Sequence, residues 1–597
     1  MQTTLRSTGN IQHHASELLL GNNIEAYENT IPSLLSDRLR NPKFAGPEHH
    51  QTGLAPEWEP CGNNMPGYIC KLVPGMFLSG AESQLVRNFM ESGDCEIIQT
   101  GVCFHAGEEL EVEIWARAMH RPVQLTLGIR ESYANGKWYD MQKVTVDRAH
   151  WHRYTARLRC PVEDANGTFS IFISPDSAIL LDQVHLRPVD EPLVSQAFLA
   201  AFAQLLCTVL RFPGGCVSCS YHWESGIGPA HLRPVQDDPT FKWKVHYDFG
   251  TDEYLELCSA RGMRPFITLN TTSATAAAAA AWAGYVRQWY VDRALPVPEA
   301  YFMLGNENDC MHEQGHMTGE MYVTQLRDFS PALRRAYPEA RLIAIGRFEE
   351  SFPLRAGHGT TWRPRLLAEV PELFDLFAVG YYATVYQRSP LREIAAEILT
   401  HLRAMETMIL EAAKSMRDGG KSPAINIYEW NLWCTATHND RRGFFEPMDM
   451  RHCLFAAGVM GMLCRQADVV EVANHYSLVN TMGTLRVHNG RAECTDIVKV
   501  FQLYADALPG AVLEVQQLDA EDTLQVTIIE RDNHVYAFLI NWHCDEAATV
   551  HLEEYGPIQQ ATGLRAVEIE SPVEIFTLEF TDHSVTVPPL TIVRVEM

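Results

Sequence analysis

The sequence predicts an α/β protein: a (β/α)8 TIM barrel with an inserted β-sandwich and a C-terminal β-sandwich. Three observations predict it. The middle of the chain alternates short apolar or β-branched runs with longer helical patterns. Eight such runs can be counted. Two other stretches switch to the period-two alternation of half-buried strands.

The eight runs are residues 18–26, 207–212, 264–270, 300–306, 341–346, 374–381, 424–429 and 467–473. Helix-like segments at 274–291, 319–336 and 391–417 lie between the later ones. A doubly wound open sheet is the competing arrangement, and the strand count favours the barrel over it. The gap between the first two runs is too long for one helix, and β signals fill it. Leu110, Val112 and Ile114 alternate with Glu111, Glu113 and Trp115, and Asn135-Gly136 reads as a hairpin turn. Residues 168–173 and 179–186 continue the pattern. After about residue 480 the chain turns β again, with Leu524, Val526 and Ile528 alternating with polar residues ahead of Arg531-Asp532-Asn533-His534. The expected organisation is therefore an N-terminal strand and first barrel strand over 1–59, an inserted sandwich over 60–190, the barrel over 191–480 and a C-terminal sandwich over 481–597. No internal repeat is visible.

Composition narrows the partners. Lys+Arg 48 against Asp+Glu 74 leaves a formal net charge of −26, which argues against a phosphate-backbone partner. The most apolar stretch, 274–286, is alanine-rich and short of the ~20 residues a membrane span needs. The N-terminus lacks the basic and apolar regions of a secretory signal, and 15 scattered cysteines suit a reducing compartment. A cytoplasmic protein without nucleic-acid or membrane partners is expected.

Two strand-end glutamates carry the candidate chemistry. Glu307 follows Leu304-Gly305-Asn306 at the end of the fourth run, and Glu429 ends the seventh. Strands four and seven lie across a barrel mouth from each other, at the end where such folds place their sites. Two carboxylates about 5–5.5 Å apart serve retaining glycoside hydrolysis, one attacking the anomeric carbon and the other moving the proton. The alternative is a pair of structural ion pairs with barrel Arg or Lys residues.

The surrounding motifs give the pair a context. Arg211-Phe212-Pro213-Gly214-Gly215-Cys216, Trp223-Glu224-Ser225-Gly226-Ile227-Gly228-Pro229 with Arg233-Pro234, Gly305-Asn306-Glu307 and Glu429-Trp430-Asn431-Leu432-Trp433 occur in that order. This set resembles glycoside hydrolase family 51, the α-L-arabinofuranosidase family. The resemblance implies Glu307 as general acid/base, Glu429 as nucleophile, Asn306 on the sugar 2-OH and Arg211 orienting Glu429. It further implies Glu25 on the furanose hydroxyls, Tyr382 against the nucleophile, Trp433 as an aglycone platform and Cys216 at the glycone, where a small buried hydrophobe is the other reading. Neither metal nor cofactor is implied. The substrate would be an oligosaccharide or polysaccharide, and a homo-oligomer is implied by the family alone.

Two positions depart from the family pattern. Gly380 stands where a His is usual, and Ser477 is the nearest match to a usual Gln. Smaller side chains there leave room for a hexofuranose, so a β-D-galactofuranosidase or an endoglucanase-like relative stays open beside the arabinofuranosidase. So does a non-catalytic polysaccharide-binding protein. The inserted sandwich resembles a carbohydrate-binding module, and Trp115, Trp138 and Trp151 are either sugar platforms or core residues. His312-Glu313-Gln314-Gly315-His316 matches the H-E-x-x-H zinc pattern, yet Gly315 interrupts it and no third ligand is evident, so a histidine pair lining the aglycone side is expected. Cys216-Val217-Ser218-Cys219 has redox spacing without a thioredoxin-like context.

Overall fold

The computed structural model describes residues 2–27, 30–61, 67–132, 136–240, 242–346, 362–385, 391–434, 446–518, 523–568 and 571–597. Eight parallel strands close a barrel in chain order: β1 (Gly21–Asn23), β2 (Val209–Phe212), β3 (Arg264–Leu269), β4 (Ala300–Leu304), β5 (Ala340–Ile345), β6 (Leu376–Val385), β7 (Ile425–Cys434) and β8 (Val470–His475). Each is buried on both faces, which is why their sequences are nearly continuous apolar runs.

The first run narrows in the structure. Only Gly21–Asn23 is strand, because the Ser16 hydroxyl accepts from Leu18 N and winds Glu17–Leu19 into a 3₁₀ turn. The eighth begins later than expected, since residues 466–469 close the preceding helix, with Val469 N donating to Gln466 O. Three helices cover the barrel where expected: α1 (Ala276–Asp292), α2 (Gly319–Ala336) and α3 (Leu391–Asp418). Thr275 and Thr318 cap the first two by accepting from Ala278 N and Met321 N. Tyr322, Leu326, Phe329 and Leu333 form the buried stripe of α2.

Between β1 and β2 the chain builds two five-stranded antiparallel sheets from Glu59–Pro60 to Ser177–Pro188, packed around a core of their own. Strand Glu109–Ala118 alternates as expected, with Leu110, Val112, Ile114 and Ala116 inward. Asn135, half of the expected hairpin turn, lies outside the described residues. Trp115 points outward and stacks on His231 of a barrel loop, ring centroids 4.6 Å apart. Trp138 lies under the Arg130 guanidinium, 4.6 Å from its ring centre.

After a short hairpin and the helix Ile497–Ala505, the chain ends in a nine-stranded sheet. The N-terminal strand Gln2–Ala15 lies inside that sheet, antiparallel to Gly510–Leu518 and parallel to Ala548–His551. No helix among the described residues is long and apolar enough to cross a membrane.

Candidate active site

The C-terminal ends of β2, β4, β6, β7 and β8 converge on one pocket, organised around Arg211. This arginine, next to last in β2, is fully buried, and its planar fork reaches β3, β7 and the turn after β4. Nε donates to Thr268 Oγ1 at 2.8 Å, Nη1 to Glu429 Oε1 at 2.5 Å and Nη2 to Asn306 Oδ1 at 2.7 Å. Tyr382, from β6, donates its hydroxyl to Glu429 Oε2 at 2.6 Å. Both Glu429 oxygens are therefore held.

Glu307 leaves β4 through a left-handed turn, with φ of +90° at Gly305 and +46° at Glu307 itself. Its Oε1 accepts from the Tyr428 hydroxyl at 3.0 Å, and its Oε2 lies 3.3 Å from His312 Nε2. The Pro-Gly-Gly turn after β2 brings in the third carboxylate. A Cβ on Gly215 would lie 2.8 Å from Glu429 Oε1 and 3.1 Å from Glu25 Oε1, so a side chain there would wedge between the two acids. Glu25 accepts from Val217 N at 3.3 Å and from the Tyr476 hydroxyl at 2.5 Å. Cys216 donates from Sγ to Glu313 Oε1 at 2.6 Å, and Trp433 meets Tyr382 edge-on with centroids 5.5 Å apart. Glu25, Arg211, Cys216, Asn306, Glu307, Tyr382, Glu429 and Trp433 thus belong to one connected neighbourhood.

Electrostatics separate the acids. Burial raises the Glu429 carboxyl, while the Arg211 charge pulls it back and the Glu307 charge opposes Arg211. Burial and then the Glu429 charge push Glu25 up to about 8. Because a guanidinium stays charged and sits against Glu429, the negative charge belongs on Glu429 and the proton on Glu25. Hydrogen bonds to Glu307 and then Glu313 raise His312 to about 9, so it is an imidazolium near neutrality. Burial raises Cys216 well above the usual thiol range, with the Glu313 charge adding to it.

One expectation needs correction. The room vacated at Gly380 is not open: a Cβ built there would lie 2.7 Å from both Cζ and the hydroxyl of Tyr428. The tyrosine ring fills the space. Ser477 donates weakly to its neighbour Val479 O at 3.4 Å, whereas the adjacent Tyr476 reaches Glu25. Tyr428, Tyr476, His312 and Glu313 are site residues that the motif reading did not assign to the sugar or the reacting carboxylates. Strand alternation puts Tyr428 on the face opposite Glu429, but the β6–β7 register slips between Val379–Ile427 and Gly380–Glu429, leaving Tyr428 as the extra residue of a bulge.

A closed parallel barrel with buried glutamates after its fourth strand and in its seventh has the architecture of the (β/α)8 glycoside hydrolases. Comparison narrows the class. Residues 201–297 match the α-L-arabinofuranosidase 1 domain and residues 429–584 the α-L-arabinofuranosidase C-terminal domain. Over 303 residues the chain is 25% identical to α-L-arabinofuranosidase C of Emericella nidulans, spanning 48% of this chain and 60% of that protein. It is 23% identical over 386 residues to an intracellular exo-α-L-arabinofuranosidase of Bacteroides ovatus, 59% of this chain and 73% of that one. The match thus spans about six tenths of the length of the fungal relative. An arabinose-bound GH51 α-L-arabinofuranosidase superposes with a TM-score of 0.71 at 16% identity, covering 100% of this chain and 99% of that one. The GH51 arabinofuranosidase of Xanthomonas axonopodis pv. citri gives 0.60 at 21% identity, over 68% and 92%. At such identities these structures show the common fold. The chain is thus similar to α-L-arabinofuranosidases in two matched domains and shares the fold of the family 51 enzymes.

Proposed function

We propose that the chain is a retaining, exo-acting α-L-arabinofuranosidase that releases arabinose from oligosaccharides by double displacement. The observation that carries this reading is the division of labour between the two glutamates. Glu429 is ion-paired to Arg211 and aimed by Tyr382, as a nucleophile requires. Glu307 accepts from the Tyr428 hydroxyl and lies 3.3 Å from His312 Nε2, so the two groups form a pair that can hold a proton and pass it on.

In the first step a Glu429 oxygen forms a bond to the anomeric carbon as the glycosidic C–O bond breaks, and the Glu307 proton passes to the leaving oxygen. In the second, water attacks the same carbon, Glu307 takes its proton and the glycosyl ester breaks, restoring the Glu429 carboxylate. Asn306 and the protonated Glu25 are the groups set to hydrogen-bond the furanose hydroxyls, and Trp433 is the aglycone platform. The ring filling the space at Gly380 favours a pentofuranose over the galactofuranose alternative. The named intracellular relative supports a cytoplasmic site of action. Stacking of Trp115 on His231 and of Arg130 on Trp138 favours a wall-forming role for the module-like insert over sugar capture by those two rings.

Glu429→Ala should abolish turnover of aryl arabinofuranosides, with external azide restoring a product of inverted configuration. Glu307→Ala should slow poor leaving groups far more than activated ones, since only the former need the proton. Wild-type turnover in the Glu429 variant, or equal slowing of both substrate classes in the Glu307 variant, would defeat this mechanism.

A further inference from the structure

The His312-Glu313-Gln314-Gly315-His316 segment forms no helix; residues 311–315 are turns and a bend. The zinc-protease reading of that pattern, two histidines on one helical face, therefore has no structural basis here. Instead His312 and Glu313 converge with two residues already described. The ligand atoms of Cys216, Glu307, His312 and Glu313 all lie within 4.8 Å of one another.

We propose that these four side chains form a binding site for a borderline divalent cation such as Zn2+, and that its occupancy inhibits hydrolysis by ligating Glu307. The inhibitory half rests on the acid/base reading given above. A sulfur, an imidazole nitrogen and two carboxylates make a four-ligand set of the kind tetrahedral zinc takes, and the thiolate selects such ions over Mg2+ or Ca2+. The ligands come from two barrel loops: Cys216 follows β2, and the other three follow β4. His312 Nε2 stands centrally, 3.3 Å from Glu307 Oε2 and 3.2 Å from Glu313 Oε1, while Cys216 Sγ closes on that same Glu313 oxygen. An entry path exists, because the His312 side chain is 32% exposed while that of Glu313 beneath it is buried. The pocket also carries more negative than positive charge, since Glu429 already takes the Arg211 guanidinium. Binding releases the thiol proton and the extra imidazole proton to solvent. The cation's charge then holds Glu307 as a carboxylate and lowers its affinity for a proton, so it has none to give and the leaving group departs unprotonated or not at all.

A second Cys–Glu–His group, Cys434 with Glu446 and His452, carries no such proposal. There His452 lies between two carboxylates, 3.4 Å from Glu446 and 3.3 Å from Asp449, and its side chain is fully buried among the described residues.

The test uses the intact chain, stripped with a chelator and titrated with Zn2+ by calorimetry. Cd2+ is titrated in parallel while the sulfur-to-metal charge-transfer absorption is followed. One tightly held ion, a thiolate band and an inhibition reversed by chelator are expected, with the loss steepest on substrates bearing poor leaving groups. Cys216→Ser should remove the band, and both it and His312→Ala should weaken Zn2+ binding by roughly tenfold or more. Two variants on different loops, each checked by thermal unfolding, guard against a folding failure in either. Wild-type Zn2+ affinity in both overturns the site. A stoichiometric ion with undiminished hydrolysis of unactivated substrates overturns the inhibitory half and refutes the role given to Glu307, while the binding result stands.

Discussion

At the N-terminal end of the barrel Arg264 pairs with Glu299, Arg341 with Glu471 and Arg334 with Asp375, whereas at the C-terminal end Glu25, Glu307, Glu313 and Glu429 face the guanidinium of Arg211 and the imidazole of His312. The first set matches each described acid with its own arginine, and Tyr301 adds a hydroxyl to Glu471 at 3.1 Å. In the second set burial and then the Glu429 charge let Glu25 keep its proton up to about 8, while hydrogen bonds to Glu307 and Glu313 keep His312 charged up to about 9. One end of the cylinder is built to hold the strands together. The other spends stability on protons that can move, which is the division expected of this fold.

The widest gap between the two ends should open on removing Arg211. Arg211→Met leaves Glu429 buried and unpaired, a cost of about 3–5 kcal/mol for a broken buried pair. Glu429 would take up a proton, kcat/KM on aryl arabinofuranosides should fall by roughly 10²-fold or more, and the acidic limb of the pH–rate profile should move to higher pH. The sign follows from the charge lost: without the guanidinium, the Glu429 carboxyl is raised further, so more of it is protonated at any given pH. Pre-steady-state kinetics with an unchanged acidic limb would show that Arg211 only braces the barrel, as its counterparts at the other end do.

A smaller, more selective effect is expected at Tyr428. Tyr428→Phe keeps the ring that fills the space at Gly380 and removes only the hydroxyl bonded to Glu307. A hydrogen bond to a charged group contributes about 1.5–3 kcal/mol. The loss should appear in kcat for poor leaving groups, with activated aryl substrates and the unfolding temperature little changed. Equal losses on both substrates would reduce Tyr428 to a packing residue.

Much of this architecture is legible in the sequence, for identifiable reasons. Strands buried on both faces must be apolar throughout, so β4 and β5 announce themselves, and the Thr318 cap sets the start of α2. The two glutamates are legible because they sit at strand ends inside distinctive motifs. What escaped depends on long-range register. Residues 2–15 look like a lone strand until Gly510–Leu518, some five hundred residues later, supplies their partner. Tyr428 is hidden by a bulge that breaks the period of two. Gly380 reads as open space because its occupant comes from the neighbouring strand. His312 and Glu313 are visible as a motif, but the turn that aims them at Cys216 and Glu307 is not a property of their spacing.

The smallest effect is expected at the paired end, and it sharpens the contrast by being small. Arg341 and Glu471 sit at the starts of β5 and β8 with side chains 32% and 27% exposed. Solvent reaches both, so their attraction is screened, and ordering two long side chains offsets part of it. Arg341→Met should therefore lower stability by about 1 kcal/mol or less. It should leave kcat/KM, the pH–rate profile and the preference among leaving groups as they are, because no group at that end exchanges a proton with the pocket. Chemical denaturation alongside aryl-arabinofuranoside kinetics measures both quantities. A shifted pH profile in this variant would mean that the two ends are electrostatically coupled through the barrel interior. The division between a structural rim and a catalytic one would then have to be redrawn.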